Sequence, residues 1–154
     1  MTDSRAKGAR GETVVRDLLR ELTGLQWERV PMSGALAPTH KLKGDLYLPE
    51  MPMKYCVEVK NYAEDHFTSK LLTSKNPQLI QWWEQTVREA AEVDKDPLLI
   101  FKFDRSKIFV AFDTLPTVNY NYTHINVDGY SFSVSLLNDW INYEKPQWLK
   151  PLKN

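Results

Sequence analysis

Between residues 5 and 24 the apolar positions Val14, Val15, Leu18, Leu19 and Leu22 recur every three or four places, which predicts an amphipathic helix ended by Gly24. On that wheel Glu12 falls at the edge of the apolar stripe, near Val15 and Leu19, while Arg5, Arg16 and Arg20 lie mostly away from its centre. Leu25 to Val30 reads as a short strand, followed by the Pro-, Gly-, Ser- and Thr-containing loop PMSGALAPTHKLKG. Asp45 to Leu48 and Lys54 to Lys60 read as second and third strands. Pro77 opens a second helix over 77–93, with Leu79, Ile80, Trp83, Val87 and Ala90 on one side. Pro97 predicts a break, followed by strands Leu98 to Phe103 and Ile108 to Phe112. Tyr122 to Val127 and Tyr130 to Val134 flank Asp128-Gly129, a hairpin signal. Leu136 to Tyr143 predicts a last short helix, and the tail EKPQWLKPLKN reads as loosely held. There is no internal repeat and no linker. The expectation is an α/β single domain spanning 1–154, with its core over about 4–136 and the tail over about 144–154.

Composition narrows the class. With 154 residues, 42% hydrophobic and 26% charged, the chain fits one globular domain with a sizeable core. The single cysteine, Cys56, excludes an internal disulfide and reads as a core residue of a cytosolic protein. No apolar run approaches the roughly 20 residues that span a bilayer, and MTDSRAKGARGE lacks the apolar region of a signal peptide. A balance of 20 basic and 20 acidic residues does not advertise nucleic-acid binding. Local clusters still permit it: Arg5, Lys7 and Arg10 face only Asp3 in the first ten residues, and Lys41 and Lys43 precede Asp45.

Candidate chemistry centres on CVEVK, residues 56 to 60. Strand alternation puts Val57 and Val59 on one face and Glu58 and Lys60 on the other. If the strand opened by Asp45 is a neighbour, Asp45 lies beside Glu58. Two carboxylates held that close repel and invite a cation. All-oxygen ligation by few protein groups favours Mg²⁺, with Mn²⁺ as a substitute. Such a cation polarises a phosphodiester and activates a bound water, and Lys60 can orient that water or stabilise charge on the phosphorane. An Asp and an E-x-K on a half-exposed strand also arise by chance as a solvated ion pair.

The ordered segments K-G-A-R-G-E, R-V-P-M-S-G, G-D-L and C-V-E-V-K, over residues 4 to about 112 with a weaker echo in S-V-S-L-L, resemble the archaeal Holliday junction resolvases and their phage relatives. These belong to the PD-(D/E)xK nuclease superfamily. The resemblance implies a restriction-endonuclease-like fold, a central mixed sheet flanked by helices. It implies a homodimer that makes paired symmetric nicks in four-way DNA junctions, with Mg²⁺ or Mn²⁺, in the cytoplasm (the host's, if phage-encoded). By position, Glu12, Asp45 and Glu58 match the metal-binding acids, Lys60 the catalytic lysine, and Ser33 a catalytic loop serine. Arg10 and Arg29 match basic positions facing DNA phosphates, to which the local clusters add Arg5, Lys7, Lys41 and Lys43. Glu12 would otherwise serve the helix dipole, Ser33 an ordinary turn, and the arginines a solvated face. Gly44 stands where the family usually has proline, and the loop from Pro31 to Lys43 looks longer than in the archaeal proteins.

Other functions compete. A nicking or restriction-like endonuclease would share the site. A junction-binding module would bind without cutting, and an α/β interaction domain would ignore DNA. His40 and His66 read as ordinary loop histidines, and Lys70 and Lys75 as solvated. Of the adjacent Trp82 and Trp83, one is expected on the sheet and the other exposed or in a dimer interface.

Overall fold

A computed structural model describes residues 4–31 and 43–151, and the side chains of 8–31 and 43–151. The expected first helix forms as α1, Ser4–Thr23, with Val15 and Leu19 buried and Val14 turned outward. Three strands follow: β1 (Glu28–Arg29), β2 (Leu46–Tyr47) and β3 (Tyr55–Tyr62). Then come a short helix α2 (Lys70–Thr73) in the polar loop, unforeseen in the sequence, and α3 (Gln78–Glu92). The chain continues through β4 (Asp96–Phe103), β5 (Ile108–Phe112), β6 (Tyr122–Val127) and β7 (Tyr130–Leu136). It ends with α4 (Leu137–Asp139), which runs into a π-helical turn, Trp140–Glu144.

Among the described residues the strands form one seven-stranded sheet in the order β1-β2-β3-β4-β5-β7-β6. Only β3 and β4 pair in parallel, joined by the α3 crossover; every other neighbouring pair is antiparallel. This is the mixed sheet flanked by helices of the restriction-endonuclease-like fold. One face packs α1 and the C-terminal segment over Val57, Val59, Leu98 and Ile100. The other packs α2 and α3 over Leu99, Phe101, Phe132 and Val134. Even-numbered positions of β3 therefore face α3 and odd-numbered ones face α1.

Several expectations change for physical reasons. Trp82 and Trp83 are both buried, at 3% and 2% exposure, so neither is left for a dimer interface. Trp82 stacks on Tyr62 at 4.8 Å and Trp83 on Phe132 at 4.6 Å, because α3 lies across the sheet and each indole fills a different gap. Thr86, not Val87, completes the buried stripe of α3, its hydroxyl satisfied by donating to the Trp82 carbonyl at 2.7 Å. Pro97 does not break the chain. It is the second residue of β4, opposite Cys56, where a strand's start tolerates a missing N–H. The first strand is shorter than expected because a turn closes from the Trp27 N–H to the Leu25 carbonyl at 3.1 Å. The C-terminal tail is held, not loose, as far as residue 151. Trp148 is buried against Trp27, Tyr55 and Trp140, and the Lys54 N–H donates to the Trp148 carbonyl at 2.8 Å. Among the described residues no helix is long and apolar enough to cross a membrane.

Candidate active site

Asp45 is placed by its backbone. Its N–H donates to the Val57 carbonyl at 2.7 Å, and its carbonyl accepts from the Val30 N–H at 2.9 Å. Its carboxylate Oδ2 accepts from the Val59 N–H at 2.7 Å. The side chain is thereby pinned along β3 beside Glu58, as strand adjacency predicts. Gly44 makes this possible. Its φ is +87°, and a Cβ there would stand 2.6 Å from the Val57 carbonyl oxygen. Proline, fixed near −65°, cannot adopt this conformation, which accounts for the glycine before the acid.

Glu12 arrives from the other face. At Gly11, α1 approaches β3 so closely that a Cβ would lie 2.5 Å from the Asn61 Cβ. That contact brings the next residue, Glu12, to Asp45, with which it shares a hydrogen bond. Arg29 of β1 stands 3.5 Å from the Glu12 carboxylate, with the Glu12 side chain 14% exposed.

Glu58 is 4% exposed and bonds to both Asp45 and Glu89. Glu89, from α3, is not among the acids expected from the sequence. Its spacing of three residues from Thr86 and seven from Trp82 puts a carboxylate on the buried stripe, which is the signal that could have found it. The four acids touch in series, Glu12–Asp45–Glu58–Glu89, with Arg29 at one end and Lys60 lowering the Asp45 titration from beside it.

The electrostatics follow from crowding and burial. Glu58 is pushed far above the carboxylate range by burial, by its bond to Glu89 and by the Asp45 charge. Burial also raises Asp45, against the opposing Val59 N–H, Glu58 and Lys60. Burial and Asp45 raise Glu12, against Arg29. The nearby Cys56 thiol rises too, from burial first and then from Glu58 and Glu89.

Two buried side-chain atoms lack hydrogen-bond partners among the described residues, Arg29 Nε and Glu89 Oε2, and they belong to the two ends of this series. No three His, Cys, Asp or Glu side chains among the described residues form a ready metal cage. The acids lie in a row from Glu12 to Glu89. The donor set nonetheless fits a hard divalent cation: oxygen-only, acidic, desolvated and mutually repelling.

A pH effect follows. A carboxyl whose folded-state pKa is raised lends stability that is complete below its unfolded value, near 4, and is lost as pH climbs through the folded value. In EDTA, stability should fall as pH rises above about 5, by about 1.4 kcal/mol per pH unit for each proton retained, and Glu58, pushed up to about 11, keeps its proton across the neutral range. Thermal melts across this range check it; a flat profile would contradict the raising of these carboxyls by burial and crowding.

Of the other predicted residues, Arg10 is exposed on α1, and exposed Lys43 pairs with Glu92 of α3 at 3.3 Å. Ser33, His40 and Lys41 lie outside the described residues, as do the side chains of Arg5 and Lys7. His66 packs edge-on to Trp82 at 5.2 Å.

Residues 3–150 match the family described as "Phage putative PDDEXK endonuclease". The chain is also 43% identical over 149 residues to "Protein D14" of Escherichia phage T5, covering 92% of this chain and 93% of that one. The spacing of Asp45 and the E-x-K strand, the mixed sheet that joins them and a match over nearly the whole length agree: the chain belongs to the phage PD-(D/E)xK endonuclease family, and its substrate is DNA.

Proposed function

We propose that the protein resolves four-way DNA junctions, cutting two opposed strands as a symmetric homodimer. The observation that carries the site is the meeting of Glu12, Asp45 and Glu58 beside Lys60, although they come from α1, the turn before β2, and β3. Asp45 and Glu58, with Glu12, would hold Mg²⁺ or Mn²⁺. When bound, that ion polarises the phosphodiester and lowers the pKa of a coordinated water. Lys60 orients the attacking water and stabilises charge as it grows on the phosphate. Arg29 steadies Glu12 from 3.5 Å, a role closer to hand than a DNA phosphate. Ser33 and Arg10 are assigned to the DNA side by the resemblance, and Arg5, Lys7, Lys41 and Lys43 by the local clustering of basic residues.

Junction selectivity rests on the ordered likeness to the resolvases. A four-way junction has near two-fold symmetry, and a two-fold dimer presents two copies of one site to it. With neutral net charge, recognition would rest on local phosphate contacts and branch shape. Labelled four-way junction and matching linear duplex, each with Mg²⁺ or EDTA, test this. The expected result is paired nicks on the junction only, and only with metal. Equal cutting of duplex would replace the resolvase reading with a nicking or restriction-like endonuclease. Junction binding without cutting would favour a binding module.

A further inference from the structure

On β3 the catalytic face does not end at Lys60. Glu58, Lys60 and Tyr62 follow one another on the same side, each about 6.6 Å from the last. Tyr62 is 41% exposed, whereas Trp82 beneath it is 3% exposed. The two rings stack at 4.8 Å and 29°, and His66 meets Trp82 edge-on at 5.2 Å. The backbone is fixed as well: Tyr62 pairs with Phe103 on the last rung of the ladder, and its carbonyl accepts from the Asp104 N–H at 3.1 Å. An exposed aromatic ring is therefore held rigidly beside the catalytic lysine. It borders a groove of about 550 Å³ that Lys60, Gln78, Gln81 and Gln85 also line.

We propose that Tyr62 is a stacking platform for the nucleobase of a nucleotide flanking the scissile phosphate. The inference rests on the assignment of the neighbouring carboxylates and Lys60 as the DNA-cutting centre. Every base has a π-face, so an aromatic platform takes any base, and carboxamides around it can meet base edges without fixing one sequence. In intact duplex a base must first leave its stack, at a cost of a few kcal/mol. At a branch or distortion that cost is reduced. Tyr62 would therefore favour branched or distorted DNA over continuous duplex.

The test is a cycle of single-turnover cleavage rates. Wild type, Tyr62→Ala and Tyr62→Phe act on DNA carrying a normal or an abasic nucleotide on either side of the cut. Tyr62→Ala should slow cleavage by roughly 5- to 150-fold, the range of one base–aromatic stack. One of the abasic positions should slow the wild type similarly, and the two changes together should cost no more than one. Tyr62→Phe, which keeps the ring over Trp82, should stay near wild type. A wild-type rate for Tyr62→Ala, an equal loss in Tyr62→Phe, or losses that multiply would each overturn the platform. The cycle is read on whichever DNA the wild type cuts, so failure of junction selectivity appears separately, as equal wild-type rates on junction and duplex.

Discussion

Asp45→Asn is expected to abolish metal-dependent cleavage, by about a thousandfold or more, while the fold stands. A bound cation supplies several kcal/mol of transition-state stabilisation, and each 1.36 kcal/mol is tenfold in rate. Of the three acids assigned to the cation, Asp45 is the middle one, touching both Glu12 and Glu58, so its charge is the one whose loss most weakens a shared cation. The structural duties of the side chain survive the change. An Asn oxygen can still accept the Val59 N–H, now at 2.7 Å from Oδ2, and the backbone bonds to Val57 and Val30 are untouched. Removing one of several crowded negative charges relieves repulsion. The melting temperature in EDTA should therefore hold or rise. Cleavage assays and melts on the same preparation check both halves. A variant that loses activity by unfolding would contradict the account.

Gly44→Pro is expected to damage the protein although it installs the residue the superfamily usually carries there. The φ of +87° at Gly44 is closed to proline, and the Val57 carbonyl already crowds the position. The loss should be about 3 kcal/mol or more in urea unfolding. If the chain rearranges instead, Asp45 leaves its place beside Glu58, and a displacement of about 1 Å can cost a hundredfold in rate. Stability and cleavage both at wild-type levels would mean that the glycine conformation does not position the acid.

The parts of this site that were legible in the sequence depend on local periodicity. The 3.6-residue stripe of α1 puts Glu12 at its edge, and the alternation of β3 puts Glu58 and Lys60 on one face. Their meeting with Asp45 required only that β2 and β3 be neighbours, which they are. Glu89 was hidden because it comes from a helix 31 residues after Glu58, and its relevance depends on how α3 crosses the sheet. Trp82 and Trp83 depart from expectation for the same reason, since a wheel separates them by about 100° without saying that both directions meet packed sheet. The tail looked loose because Trp148 finds its partners at Trp27, Tyr55 and Trp140, contacts that no local pattern announces. Pro97 looked like a break because strand starts and loop prolines share one signature.

The most direct test of the central claim is a crystal structure of the wild-type protein with Mn²⁺, located by its anomalous scattering. An ion held by Asp45 and Glu58 within reach of Glu12 is expected. An ion bound elsewhere in a preparation that cuts DNA, with these acids still paired to one another, would contradict it.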